Sequence, residues 1–473
     1  MSEDPGALAP ELCLLGGAVV GLLVGLFLPR RRQWLVAVVG AVALLAGLAA
    51  TAVAATQPGR MVFGESYAVD AGLNAARIIV LAATLLVVCL SVETVRGNAR
   101  ETEFYVLALL AALGAVMLAG ASDLLALVAA YLLASVPGYA LAGFVKDAAG
   151  TEAALKYYLM GALLGIAMLA GVTILLGVSG GTTYRTLHGA IGQAPHGAVA
   201  VGVVVLLAGL AFKVGAVPAH FWVPDVTEGA SAPAAAFLTT VPKVGAVVAT
   251  YRLFDQALPH ASVRWPLLVA LLAAVSMTLG NLAAFYQTSP RRLLAYSTIS
   301  QAGYVLMAVA AAGRSELATR TLLFYLAGYA VTNLGAFAVV TELPAARRLD
   351  DYGGLFRRQP WLALTLVVCL LGLVGTPPTA VFVGKLGVFT AAAGAGLAWL
   401  MVVAAINTVA SVFYYLRWIV PMFARTLPAR AEAQEQAGAW SRGCAYAAAV
   451  ATILLGLASG PVLAQLTHPL LGG

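Results

Sequence analysis

Five lysines, Lys146, Lys156, Lys213, Lys243 and Lys385, stand against twenty-two arginines in this chain. Nearly all the arginines fall in loops or at the ends of apolar segments. Four of the lysines instead lie in or beside long apolar runs. The two cations differ in their chemistry. A guanidinium stays charged almost anywhere, whereas an ammonium taken out of water can release its proton. Lysine in the oily interior and arginine at the rims is the pattern of a chain that moves protons, or holds a switchable charge, across a membrane.

Lys213 sits in LAGLAFKVGAVPAHFW with apolar residues on both sides. An uncompensated lysine at mid-bilayer costs about 2.5–3.5 kcal/mol on insertion scales, and the central position argues against snorkelling to the interface. Lys243 follows Pro242 in FLTTVPKVGAVVAT. Thr239 and Thr240 precede it on roughly the same helical face, placed to carry a water chain. Lys385 follows GTPPTAVFVG and has Asn407 in the next apolar segment, as a polar neighbour or as a packing contact. Lys156, in TEAALKYYLMG, follows Glu152 by four residues. It is either a relay member or half of an interfacial ion pair.

Polar side chains gather in RRLLAYSTISQAGY, as Tyr296, Ser297, Ser300, Gln301 and Tyr304, and in the next segment as Tyr325, Tyr329 and Asn333. Gln301 cannot titrate but can orient water, and each of these groups can equally bind helix to helix. His220 is a candidate proton carrier or a structural hydrogen-bonding group, while His188, His196, His260 and His468 fall at segment ends. All twenty acidic residues lie near segment ends or in loops. Asp123 opens the fifth segment, Asp225 and Glu228 are expected in an inner loop, and Glu342 ends the eleventh. With no carboxylate at mid-membrane, a cation site such as one for sodium would be short of ligands.

The elements that must position these groups are membrane helices. The chain has 473 residues, 62% hydrophobic and 10% charged, against about 25% charged in a soluble domain. Cys13, Cys89, Cys369 and Cys444 are scattered, with no CxxC, so the spacing suggests neither a metal site nor a disulfide framework. The net charge of +7 does not point to nucleic acid, because the arginines mark segment ends. Glu3, Asp4 and Glu11 precede or open the first apolar run, with no basic leader, so that run is predicted to be a retained helix.

Fourteen spans can be laid out: about 11–28, 34–54, 74–92, 103–120, 123–144, 154–177, 197–217, 235–254, 265–287, 293–312, 321–342, 361–382, 395–421 and 441–460. Their lengths predict an all-α polytopic membrane protein, since the runs are too long for barrel strands. One side holds Arg30, Arg31, Arg32, Arg96, Arg100, Lys146, Arg291, Arg292, Arg347, Arg348, Arg357, Arg358, Arg425, Arg430 and Arg442. The other holds Arg60, Arg185, Arg264, Arg314 and Arg320. The positive-inside rule places the rich side in the cytoplasm and both termini outside. Pro218 near Lys213, and Pro377 and Pro378 near Lys385, predict interruptions in the seventh and twelfth spans, unless they are ordinary kinks. Two interrupted spans, five apart, suggest two related five-helix halves.

Taken together, the stretches EFYVLALLAALGAVMLAGASDLLAL, AALKYYLMGA, AFKVGAVPAHFWVPDVTEGASAPAAAFLTTVPK, RRLLAYSTISQAGYVLM, TNLGAFAVV and LDDYGGLFRRQPWLAL with GTPPTAVFVGK resemble the antiporter-like subunits of respiratory complex I, most closely the subunit N type. The likeness is densest from about 103 to 420. It implies about fourteen helices with two inverted five-helix repeats and discontinuous helices 7 and 12. The parts would be an N-terminal three-helix segment (1–102), two antiporter-like halves (103–260 and 261–421) and a C-terminal loop and helix (422–473).

The resemblance further implies a proton relay through Lys156, Lys213, Lys243 and Lys385, supported by Thr239, Thr240, His220, Tyr296, Gln301, Tyr304, Tyr325 and Asn407. Protons would move from cytoplasm to periplasm across a bacterial cell membrane. The chain would carry no cofactor and no metal. FMN, iron–sulfur clusters, NADH and a quinone would belong to the complex as a whole. The partners implied are lipids and other membrane-arm subunits, of the J/K-like and M-like kinds.

Two departures stand out. Leu132, in AAYLLAS, occupies the position of the family's usual fifth-span glutamate, so the expected Lys–Glu pair is missing. Gln301 replaces a frequent histidine. These leave three alternatives beside the pumping subunit: a structural subunit with impaired pumping, an Mrp-type cation/proton antiporter subunit, and a subunit of a ferredoxin- or hydrogenase-linked complex.

Overall fold

The computed structural model describes residues 4–258, 261, 263–424, 438–466 and 470. Arg425, Arg430, Glu3, His260 and His468 lie outside the described residues. The first half of the chain forms α1 (Ala9–Phe27), α2 (Leu35–Ala54), a hairpin of β1 (Arg60–Val62) and β2 (Tyr67–Val69), α3 (Ala71–Val95), α4 (Glu101–Gly120), α5 (Leu124–Ala142), α6 (Ala148–Ser179), α7 (Tyr184–Ile191), α8 (His196–Val214), α9 (Trp222–Gly229) and α10 (Ala232–Arg252). The second half forms α11 (Trp265–Ala284), α12 (Pro290–Ala310), α13 (Leu317–Glu342), α14 (Leu355–Arg358), α15 (Pro360–Val374), α16 (Ala380–Gly394), α17 (Ala398–Met422), α18 (Ala439–Leu457) and α19 (Ser459–Gln465).

Among the described residues, thirteen helices are long and apolar enough to cross a membrane by length and composition. Two shorter apolar helices, α15 and α16, stand where a single span ending near 382 was expected. The second of them runs on to Gly394, because residues 383–394 stay apolar and helix-compatible on either side of Lys385. One short hairpin accompanies the helices among the described residues. β1 and β2 pair antiparallel, with Arg60 opposite Val69. The eight-residue α7 was also read as loop. Both elements are too short to register in a span-length hydropathy window.

The acids at segment ends are explained locally. Asp70, Asp123 and Asp147 cap α3, α5 and α6, accepting backbone N–H groups of Leu73, Leu125 and Gly150 at 2.7–2.8 Å. A carboxylate satisfies orphan donors there and meets the positive end of the helix dipole. Asp225 and Glu228 are not in a loop but on the short helix α9. At the other kind of end, α8 and α15 stop at Gly215 and Gly375, with φ of +75° and +91°. This left-handed conformation suits glycine and closes a helix after its last carbonyls.

The layout is concentric. α10, α12 and α13 are almost wholly covered by neighbouring helices, while α1, α2, α6, α17 and α18 keep broad exposed apolar faces. α10 touches α4 backbone to backbone. A Cβ at Gly245 would stand 2.0 Å from the Ala115 carbonyl oxygen. α18 lies equally close to the connection between α15 and α16. A Cβ at Gly456 would stand 2.0 Å from the Pro378 carbonyl oxygen.

Candidate functional site

Three lysines share the interior. Lys213, Lys243 and Lys385 are 2%, 2% and 3% exposed, and no carboxylate pairs with them among the described residues. Each ammonium is held by uncharged oxygen and an aromatic face.

Lys213 is the penultimate residue of α8. Its Nζ donates to Ser135 Oγ at 2.7 Å and lies 5.4 Å from the Tyr131 ring centre. Both partners come from α5, four residues apart and therefore on one face. Just beyond Lys213 the chain leaves the helix until Trp222. The gap is bridged by Trp222 Nε1 donating to the Phe212 carbonyl at 3.0 Å, and pinned to α11 by Val217 N donating to Ser276 Oγ at 3.0 Å.

Lys243, in mid-α10, donates to the Thr298 carbonyl of α12 at 2.8 Å and lies 5.2 Å from the Tyr329 ring centre of α13. Thr298 Oγ1 and Tyr329 Oη are 3.0 Å apart, and Tyr329 donates to the Thr239 carbonyl at 3.0 Å. Asn333 donates to Thr240 Oγ1 at 2.8 Å. Thr239 and Thr240 thus join the Lys243 cluster through α13 rather than by touching the lysine.

One turn further along α12, Gln301 Nε2 donates to the Leu373 carbonyl at 2.8 Å, and the Tyr325 hydroxyl donates to Gln301 Oε1. Lys385 donates to the same Leu373 carbonyl at 3.3 Å and to that of Val374 at 2.8 Å, and lies 4.0 Å from the Tyr304 ring centre. The carbonyl end of α15 is the negative pole of that helix, so the cation sits where the dipole favours it. Two bonded groups, Lys243–Thr298 and Gln301–Leu373–Lys385, lie one turn apart along α12 and make an interior line with a gap between them. The Lys213 cluster shares no residue with it.

Other expected residues are placed differently. Lys156 has a side chain 46% exposed and pairs with Glu152 at 2.7 Å and Asp225 at 2.8 Å. Asp225 also reaches Arg292 at 3.4 Å, so Lys156 is part of a rim cluster outside the interior line. Asn407 does not reach Lys385. It accepts from Asn281 Nδ2 at 3.0 Å and donates to Thr278 Oγ1 at 3.1 Å, and Tyr414 donates to Asn281 Oδ1 at 3.1 Å. Its side chain is drawn there because its amide can accept from Asn281 and donate to Thr278 at once. Tyr296 is half-buried and joins none of these bonds among the described residues. His220 is buried in the connection after α8, against Phe221, with no protein partner for Nδ1. Leu132 is 46% exposed, on a different face of α5 from Tyr131 and Ser135.

Sequence reasoning missed Tyr131 and Ser135, whose i,i+4 spacing in an apolar helix was the available signal. It also missed two buried ion pairs on the arginine-poor side. Arg77 meets Glu11 at 2.7 Å, and Arg252 meets Asp70 at 2.8 Å, all four side chains nearly sealed from solvent. Tyr67 donates to Glu11 at 2.8 Å, and Asn74 accepts from Arg77 at 2.9 Å. Among the described residues no three His, Cys, Asp or Glu side chains converge as metal ligands would.

The transmembrane family described as NADH:quinone oxidoreductase/Mrp antiporter matches residues 121–411, which hold all three interior lysines. The fold and this match define a membrane subunit of the quinone oxidoreductase and antiporter class. NADH-quinone oxidoreductase subunit N 1 of Streptomyces griseus subsp. griseus is 58% identical over 463 residues, covering 98% of each chain. NADH-quinone oxidoreductase subunit N of a Mycobacterium species is 51% identical over 458 residues, covering 97% of each. A chain of respiratory complex I from Thermus thermophilus with bound aureothin superimposes with a TM-score of 0.82 at 34% identity, over 96% of this chain and 98% of that one. The chain belongs to the NADH-quinone oxidoreductase subunit N family, as a multi-pass membrane-arm subunit of a complex I-type NADH:quinone oxidoreductase.

Proposed function

We propose that this subunit carries protons from the cytoplasm to the outside of the bacterial membrane along Lys213, Lys243 and Lys385, driven by quinone reduction in other subunits. The observation that carries the reading is the set of three interior ammonium groups without counter-carboxylates among the described residues, two of them bonded to polar groups one turn apart on α12. Buried charges are costly and persist where they are used. Tyr131 Oη, His220 Nδ1, Ser300 Oγ and Asn333 Oδ1 are buried atoms without protein partners. Such atoms in a native interior are met by ordered water, which would complete the path beside each lysine. Lys156, with Asp225 and Arg292, stands at the cytoplasmic rim, where it can collect protons rather than relay them in the interior.

In this reading α8 with α9, and α15 with α16, each make one interrupted crossing, giving fourteen in all. Residues 103–260 and 261–421 form inverted halves, each with a break near a lysine. Residues 1–102 and 422–473 flank them. Both termini face outward, the arginine-rich side faces the cytoplasm, and J/K-like and M-like subunits flank the chain in the lipid.

The test is replacement of Lys213 or Lys243 by alanine in the whole complex. NADH-driven acidification of inverted membrane vesicles and quinone reduction are measured side by side. Both are expected to fall, acidification several-fold more than quinone reduction, while the subunit still assembles. Proton-to-electron ratios equal to the unmodified complex in both variants would overturn the relay.

A further inference from the structure

Two of the four cysteines meet across the contact between α3 and α18. Cys444 Sγ donates to the Leu86 carbonyl of α3 at 3.7 Å. Side chains on a helix lean toward its N-terminus, so the thiol of Cys89, three residues on from Leu86, lies over that same turn. The register is fixed one turn away. Glu93 Oε1 accepts from the Trp440 backbone N–H at 3.0 Å, and Oε2 accepts from Ser441 N and Oγ at 3.3 Å each. Glu93 is four residues past Cys89, and Ser441 three before Cys444, so the clamp holds both sulfurs on matching turns. Cys13 and Cys369 sit on other helices.

We propose that Cys89 and Cys444 form a dithiol site that hydrogen peroxide converts into a disulfide tying α3 to α18. Cys89, the more open of the two, reacts first. Its sulfur attacks one peroxide oxygen, the O–O bond breaks, and the other oxygen leaves as water. Cys89 is then a sulfenic acid. Cys444 sulfur attacks that sulfur, the S–O bond breaks, and the second oxygen leaves as water with the thiol's proton. The sum is two thiols and one peroxide to one disulfide and two waters: the sulfur pair loses two electrons and the peroxide gains them. In a reducing cytoplasm the resting form is the dithiol. The bridge would tether the helix that backs the Pro378 connection to the N-terminal helices.

The experiment uses the assembled complex in its membrane. Peroxide is added and quenched, the protein is denatured, free thiols are capped with N-ethylmaleimide, and peptides of this chain are read by mass spectrometry. Capped cysteines are expected to fall twofold, from four to two, with a peptide linking Cys89 to Cys444, and dithiothreitol is expected to restore all four. In Cys89→Ser no linked peptide forms and Cys444 stays open to the maleimide, whereas in Cys444→Ser no linked peptide forms and Cys89 is found as the sulfenic acid or a more oxidised acid. Full capping of both cysteines after peroxide, or their separate conversion to sulfonic acids without a linked peptide, would overturn the proposal.

Discussion

Each interior ammonium rests on a different acceptor, and the difference bears on what it can pass on. Ser135 offers Lys213 a hydroxyl, which can accept one proton while donating another. Thr298 offers Lys243 only a carbonyl, and Lys385 meets two carbonyls and a ring. Ser135→Ala removes the acceptor and leaves a buried donor unmet, at about 1–3 kcal/mol. Vesicle acidification per quinone reduced is expected to drop several-fold, and Ser135→Thr is expected to restore it. Gln301→Leu cuts the link between Tyr325 and Leu373. It is expected to slow acidification more than quinone reduction, whereas equal slowing of both would place Gln301 in packing alone. The lysines themselves were legible in the sequence, because residue type and depth in an apolar run suffice to single them out. Their partners were not. Thr298 and Leu373 act through backbone oxygens, which leave no mark in a sequence, and Asn407 found an amide instead of Lys385.

At the scale of elements, the ends of α8 and α15 show which signals reach across levels. Glycine, proline and the capping acids report local backbone geometry, and the helices they delimit were largely readable. β1, β2 and α7 were not, because a few residues of mixed polarity vanish inside a twenty-residue average. Gly375 makes the local argument testable. It combines φ of +91° with a neighbour, Lys385 Cδ, that an added Cβ would approach to 2.9 Å. Gly375→Val therefore carries backbone strain of about 1–2 kcal/mol and pushes on the lysine. Proton pumping is expected to fail in this variant. Gly64→Ala has φ of +63° and open space around it, and is expected to keep activity at a small cost in thermal stability. Equal pumping in both would show that the α15 end does not position Lys385.

Over the whole molecule, the buried arginine–carboxylate pairs and the interior lysines occupy separate places. Of the two arginine–carboxylate pairs on the arginine-poor side, Arg77–Glu11 ties α3 to α1, and Arg252–Asp70 joins the N-terminal helices to α10. Arg252 reaches from the end of α10 to the cap of α3, and also donates to the Ala119 carbonyl closing α4, at 3.2 Å. Removing one partner from such a pair strands a buried charge, at about 3–5 kcal/mol, while an apolar exchange of both can be neutral. Arg252→Met is thus expected to lower the unfolding temperature in detergent by many degrees, and Asp70→Asn with Arg252→Met, which keeps the α3 cap and removes the stranded charge, to recover much of it. Failure of the double exchange to recover would mean that the pair does more than dock. The contact of Gly456 with the Pro378 carbonyl has its own consequence for how the subunit is made. Ribosomes deliver α18 after every element it covers, so the Pro378 connection, a few residues before Lys385, lacks its cover until α18 has emerged. A nascent chain halted before Ala439 would hold α1 to α17 and still have a bare turn between α15 and α16.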